Sequence, residues 1–390
     1  MKVAVIHDWI MSMRGGEKCL EVFCELFPEA TVFTLAHKKG VASQTIENMD
    51  IRTSFIQSLP GAMSAYRSYL PLFPRAIRSF DLSGYDFVLS SSHCVAKGVT
   101  IPAGVKHICY CYTPMRYIWF FFNEYFGKEK PIKRFFISAV TQNLKAWDLE
   151  TNKSVDYFVA ISDNVRNRIS NIYSKDSYVI YPPVDIHKFS ISSKDHGYYL
   201  IVSGLVPYKR IDLAIEAFNM TARRLVIVGA GNVEKKLKKA AKPNIEFAGQ
   251  VDDERLKEYY YNCTALIFPG EEDFGIVPVE AQACGKPVIA YGRGGALETV
   301  IPLEVTPSTS LGAGRSQGHQ VTSPPTGVFF YEQTPQALIN AIETFEQNRD
   351  KFMPQKIREN SLRFSRDIFK QRIKDYITDK LNQQKLEGAG

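Results

Sequence analysis

Short apolar runs and helical patterns alternate along this chain. Runs of strand length, rich in Val, Ile and Phe, occupy 3–6, 87–90, 107–112 and 157–161 in the first half. In the second half they occupy 199–203, 224–229, 245–248, 265–268 and 287–290. Such runs, without polar alternation, are the pattern of strands covered on both faces. Between them the spacing changes. In Glu17–Phe27 the apolar positions are Leu20, Val22, Phe23 and Leu26; in Arg210–Phe218 they are Ile211, Leu213, Ile215 and Phe218. That spacing predicts helices with one buried stripe, and the alternation predicts an α/β fold built on parallel sheets.

The pattern breaks near 182–197. Tyr181-Pro182-Pro183-Val184 is held extended by its prolines, and the polar stretch Ser190–Gly197 has little to bury. A chain of 390 residues is long for one core. The expected division is 1–184 and 197–360, followed by charged C-terminal helices in 361–390. The stretch 305–325, rich in Ser, Thr, Pro and Gly, reads as a long loop of the second domain.

Composition narrows the function only a little. Hydrophobic content of 45% and charged content of 23% are those of a globular protein. A net charge of +7 is too small to argue for nucleic acid; it fits an anionic ligand or an anionic lipid surface. The cysteines (Cys19, Cys24, Cys94, Cys109, Cys111, Cys263, Cys284) are odd in number and show no zinc-ligand spacing. Reduced thiols in a cytoplasmic protein are expected. No apolar stretch approaches the ~20 residues that span a bilayer, and the opening Met1–Asp8 has no cleavage-site pattern. Any membrane contact is expected to be peripheral.

Four stretches carry candidate chemistry. Met13-Arg14-Gly15-Gly16-Glu17 lies between the first strand and the helix expected from Glu17. Paired glycines let a backbone approach a ligand, and amides at a helix start favour an anion; an ordinary turn has the same composition. Leu205-Val206-Pro207-Tyr208-Lys209-Arg210 follows the strand 199–203, at the end where open α/β sheets bind ligands. A lysine there suits a diphosphate; a solvated helix start is the other reading, although cations oppose the dipole. Glu271–Glu280 (EEDFGIVPVE) sets three carboxylates before Phe274-Gly275 and a fourth, Glu280, in an apolar helix. An acidic helix cap explains the first three but not Glu280. Glu272 and Glu280 are expected to face the same cleft and accept hydrogen bonds from sugar and ribose hydroxyls, while the amides of Phe274 and Gly275 meet phosphate. Val226–Gly231 (VIVGAG) is half a dinucleotide fingerprint, with Glu234 where its third glycine belongs. That argues against NAD and leaves a strand-end turn or a nucleotide contact.

These residues resemble glycosyltransferase family 4, whose members adopt the GT-B fold. The likeness runs along nearly the whole chain. Its most specific parts are Glu272 and Glu280 as Glu-x7-Glu, the stretch Leu205–Glu216, and Pro287–Glu298 (PVIAYGRGGALE). Ser90–Gly98 and Tyr110–Tyr117 (YCYTPMRY) look like a subgroup that builds bacterial surface polysaccharides and includes mannosyltransferases. The resemblance implies two Rossmann-like domains facing a central cleft, with the C-terminal helices crossing back to the first. It implies a retaining, metal-independent enzyme without a cofactor. Such an enzyme moves a hexose, mannose from GDP-mannose being one option, from a nucleotide-diphosphate sugar to a polysaccharide or lipid-linked oligosaccharide such as a lipopolysaccharide precursor. It implies a donor site of Gly15, Gly16, Lys209, Arg210, Glu272, Phe274, Gly275, Ile276 and Glu280, catalytic roles for Lys209, Glu272 and Tyr112, and an acceptor side with His93 and Arg116. Lys209 and amides would neutralise the leaving diphosphate, where a metal would otherwise serve; the chain has no Asp-x-Asp metal pattern.

The chain departs from the family pattern at Tyr112, where the subgroup commonly carries His, at Gly204 in place of Arg, and at Phe120 in place of an acid. Two other readings stay open: a nucleotide-sugar epimerase of the same fold, which needs no acceptor, and an impaired sugar-nucleotide-binding protein. Two stretches mix cations with aromatics, Tyr66–Phe80 (Arg67, Arg75, Arg78) and Arg116–Phe136 (Trp119, Phe120, Phe121, Phe122, Phe126, Lys128, Lys130, Lys133, Arg134). That mixture suits an anionic membrane interface on the cytoplasmic side, or a core cluster with a solvated charged edge.

Overall fold

The computed structural model describes residues 1–122, 127, 130–304 and 324–387, with side chains up to 383. The stretch 305–325 lies outside the described residues but for its last two positions, and so do Phe126 and Lys128. The chain divides into two compact units: Met1–Pro183 with Arg366–Gly390, and Val184–Ser365.

The first unit is built on β1 (Val3–His7), β2 (Thr31–Thr34), β3 (Asp50–Thr53), β4 (Phe87–Ser92), β5 (Lys106–Cys111), β6 (Tyr157–Ala160) and β7 (Ser177–Val179). All pair in parallel, in the order β3-β2-β1-β4-β5-β6-β7. The second unit has β8 (Tyr198–Val202), β9 (Arg224–Val228), β10 (Ile245–Gly249), β11 (Ala265–Phe268), β12 (Val288–Tyr291) and β13 (Gly327–Phe330). These too are parallel, in the order β10-β9-β8-β11-β12-β13. The apolar runs named above became strands because helices cover both sheet faces, so every residue of β1, β4 and β11 is buried. The sequence reading missed β2, β3, β7 and β13. Three of them are edge strands, and β3 and β7 are largely solvated, so they carry polar residues that hide the pattern.

The first helix spans Gly15–Leu26, two residues earlier than expected, so both glycines lie inside its first turn. Glu17 accepts the Arg14 amide at 3.1 Å and fixes that start. The helix Arg366–Glu387 belongs to the first unit although the second unit precedes it in sequence. Its Phe369 meets the rings of Phe23 and Tyr110 at 5.9 and 5.6 Å, and Arg366 and Lys370 pair with Glu21 and Glu25. All seven cysteines are free and buried.

A buried polar knot ties the loop after β4 to the helix Pro131–Glu150. Lys97 pairs with Asp148 at 3.0 Å, and both side chains are almost wholly out of water. Its Nζ also donates to the Asp148 carbonyl and to Thr151 Oγ1, while the Asp148 carboxylate accepts from Trp119 Nε1 and Tyr173 OH. Removing one partner strands a charge in the core. Lys97→Met is expected to cost about 3–5 kcal/mol, read by urea unfolding; a loss below about 1 kcal/mol would show that the pair is solvated.

Candidate functional site

In each sheet the strand order reverses beside the first strand of the unit, between β1 and β4 and between β8 and β11. Open α/β sheets bind ligands beyond the carboxyl ends of strands at such a reversal. The candidate residues of the second unit gather there. After β8 the chain makes a short 3-10 turn, Pro207–Lys209, and Arg210 then takes a left-handed conformation (φ 53°) before the helix Ile211–Asn219. That bend turns Lys209 back toward the segment after β11, where its Nζ forms an ion pair with the Glu272 carboxylate. Both side chains are largely buried, at 19% and 14% exposure.

Backbone contact sets this approach. A Cβ on Gly270 would stand 2.9 Å from Lys209 Cα, and one on Gly294, which has φ 63°, would overlap the Glu272 carbonyl. Glycine at both places lets the turn 207–209 and the loop 292–295 close on the acidic segment, which the Gly295 amide joins at the Glu272 carbonyl, 2.8 Å away.

The other donor-side candidates take separate positions. Arg210 does not join the pair; it donates to Gln333 Oε1 at 2.7 Å and faces Asp212. The Phe274 ring is buried against Phe364, 5.4 Å between centroids. Gly275, at φ 98°, opens the helix Ile276–Ala283. Glu280 accepts a 2.8 Å hydrogen bond from Tyr260 OH. Burial, and then the Glu280 charge, push the Tyr260 phenol well above its usual range, so it stays a donor and fixes that carboxylate. Tyr260 was not singled out in the sequence, because it lies twenty positions from Glu280 in a helix that reads as charged. The VIVGAG glycines are taken up by packing: a Cβ on Gly229 or Gly231 would overlap the carbonyls of Ser203 or Leu205. That gives them a reason within the fold, and the strand-end turn is the geometry found.

In the first unit a directed hydrogen-bond chain ends on the glycine turn. Tyr112 OH donates to the Gly16 carbonyl at 2.9 Å. Its one proton is then used, so Ser91 Oγ must donate to it (2.7 Å) and His7 Nδ1 must donate to Ser91 (2.9 Å). The hydroxyl of Tyr112 is therefore engaged with protein on both sides. A Cβ on Gly16 would meet nothing closer than the His7 ring at 3.6 Å, so the fold itself does not demand glycine there.

Beside this chain lies Asp8, which the sequence reading passed over. It is fully buried at the end of β1, and its carboxylate accepts the amides of His93, Cys94, Val95 and Ala96 at 2.7–2.9 Å. It also meets His93 Nδ1 at 3.0 Å. Burial works to raise its pKa, but the His93 imidazole and the amide hydrogen bonds prevail and hold it below the usual carboxylate range. One carboxylate thus fixes both the backbone and the ring of His93, whose other neighbours are Trp9 (4.5 Å) and Tyr112 (6.2 Å). Arg116 begins the short helix Arg116–Trp119, and Phe120 beyond it lies under the Arg168 guanidinium at 4.4 Å. Among the described residues no helix is long and apolar enough to cross a membrane.

Residues 184–363 match the family model described as glycosyl transferases group 1. An uncharacterised glycosyltransferase of Methanocaldococcus jannaschii is 30% identical over 151 residues, which is 37% of this chain and 43% of that protein. A GDP-mannose-dependent monoacylated alpha-(1-6)-phosphatidylinositol monomannoside mannosyltransferase of Corynebacterium glutamicum is 37% identical over 116 residues, 26% of this chain and 30% of that protein. The chain thus spans less than half the length of these curated relatives. Among solved structures, the Anabaena protein Alr3699/HepE, in complex with UDP, superposes with a TM-score of 0.67 at 17% identity, covering 97% of this chain and 100% of that one. It shares the fold, two parallel α/β Rossmann-like domains.

The buried histidines make the first unit acid-sensitive. Burial lowers the His7 pKa to about 4, partly offset by Asp8, and burial likewise lowers His107 to about 4. As pH falls below about 6.5, the unfolded chain takes up protons that the folded sites refuse, so stability is lost between about 6.5 and 4. Each histidine is expected to contribute about 3 kcal/mol to that loss. His7→Gln should flatten the pH dependence of urea unfolding by one such share; an unchanged slope would show His7 to be hydrated.

Proposed function

We propose that this chain, whose residues 184–363 match the family model of group 1 glycosyl transferases, moves a hexose from a nucleotide-diphosphate sugar to a saccharide or lipid-linked saccharide, with retention and without a metal. The observation that carries this is the Lys209–Glu272 pair at the strand-order reversal of the second sheet. On donor binding, Lys209 exchanges its carboxylate partner for the diphosphate. Glu272, released, accepts hydroxyls of the sugar being transferred. Glu280, oriented by Tyr260, takes the ribose hydroxyls, and the amides of Phe274, Gly275 and Ile276 meet the sugar and phosphate. Arg210 adds positive charge beside them.

The bond from the anomeric carbon to the phosphate oxygen breaks with its electron pair leaving on the diphosphate. The acceptor oxygen bonds to that carbon on the same face, and its proton passes to the departing phosphate. Lys209 is the main charge stabiliser of that step. Mannose from GDP-mannose is the donor we favour, in line with the name of the Corynebacterium relative. In the first unit, Gly15 and Gly16 let substrate pass close to the backbone, while His93 and Arg116 serve the acceptor. The cation-rich aromatic stretches fit work at an anionic membrane surface.

Thermal shift against GDP-mannose, UDP-glucose and UDP-galactose tests the donor. A true donor at about 100 times its Kd should add about 2.7 kcal/mol of stability; no shift with any nucleotide-sugar would sink the reading. Lys209→Ala and Glu280→Ala should each lose about 1.5–3 kcal/mol of donor binding, beyond the drop in unliganded stability from stranding the Glu272 carboxylate or the Tyr260 hydroxyl, and should remain folded. Gly16→Ala should fold as well or better, by up to ~1 kcal/mol for alanine in a helix, yet lose transfer; full activity in that variant would remove the glycine from the substrate path.

A further inference from the structure

One groove of the first unit has no part in the donor reading. Its volume is ≈ 1160 Å³, above the roughly 300–1,000 Å³ of a small-ligand pocket. One wall is the 3-10 segment Tyr66–Leu72, with Leu70 and Pro71; the other is the first turns of the helix Pro131–Glu150, with Ile137 and Val140. The lining is apolar along its length, and its charged members, Arg67, Lys130 and Lys133, are all cationic. Among the described residues no carboxylate lines it. Ile132 and Phe136 of its lining, and Phe135 next to them in sequence, stand 64–76% exposed, where a soluble surface rarely gathers large apolar side chains.

We propose that this groove holds the chain of a lipid phosphate or diphosphate, the carrier part of a lipid-linked acceptor. The apolar walls take one long hydrocarbon chain. Arg67, Lys130 and Lys133 take its phosphate, at the start of a twenty-residue helix whose dipole favours an anion. Lys133, Ile137 and Val140 follow one helical stripe, so charge and apolar wall lie in line, as head and tail do in such a molecule. This inference rests on the acceptor half of the proposal above and narrows it to an amphiphile bound as a single molecule, beyond adsorption to a charged surface.

Farnesyl diphosphate below its micelle concentration is the probe, with inorganic diphosphate and anionic phospholipid vesicles as controls, in titration calorimetry on the full chain. Farnesyl diphosphate is expected to bind in the micromolar range. Ile137→Trp, which fills the groove, and Lys130→Glu with Lys133→Glu, which reverses its charge, should each weaken it at least tenfold. Inorganic diphosphate should neither bind comparably nor compete. Native-like affinity in Ile137→Trp, equal binding of inorganic diphosphate, or binding to vesicles alone would each overturn the groove. The nucleotide-sugar thermal shift, measured on the same variants, separates the outcomes. If the shift holds while farnesyl diphosphate fails, the groove alone falls; if farnesyl diphosphate binds without any such shift, the transferase reading falls.

Discussion

An ammonium and a carboxylate held face to face at the carboxyl edge of the second sheet set the conditions for the residues around them. Neither charge is well hydrated, so each needs the other while no ligand is present. Their approach is imposed by backbone packing at Gly270 and Gly294 and does not depend on a flexible side chain finding its partner. A cation poised in this way gives up a protein carboxylate for a more highly charged anion with little rearrangement, which is what preorganisation for a leaving diphosphate requires.

The first unit solves a mirrored problem. Asp8 carries a negative charge at the end of β1, and four consecutive amides and an imidazole surround it. The loop after β4 is thereby wrapped around one side chain, and His93 is presented in a fixed pose. The neighbouring chain from His7 through Ser91 and Tyr112 to Gly16 holds the helix start in the same rigid manner. In both units, groups at the strand-order reversal are positioned by interactions that reach across distant parts of the sequence.

That distance explains what the sequence disclosed. Most buried central strands were legible because burial on both faces writes an unbroken apolar run, as in Val3–His7 and Ala265–Phe268; Thr31–Thr34, equally buried, was hidden by the threonines at its ends. Edge strands such as Asp50–Thr53 were not, because solvent permits polar residues and the run disappears. Glu280 stood out by its charge in an apolar helix, and Lys209 and Glu272 by their place just beyond a strand. Asp8 did not: its partners lie some 85–88 positions away and, apart from the His93 imidazole, contribute backbone amides, which carry no side-chain signature. Tyr112 was given a catalytic role by resemblance, and the structure shows its hydroxyl engaged with Gly16 and Ser91. The Gly229 and Gly231 pair looked like a nucleotide signal because close backbone packing and phosphate binding call for the same residue.

The second unit is an insertion. Val184 and Ser365 lie side by side, the Val184 amide bonded to the Phe364 carbonyl at 3.0 Å, so the inserted segment enters and leaves at one point. The helix Arg366–Glu387 then completes the first unit by covering Phe23 and Tyr110. As the chain emerges from a ribosome, the first unit must wait through the synthesis of its neighbour with that apolar face uncovered, while the inserted unit has its whole segment at hand and can fold ahead of the unit that began before it.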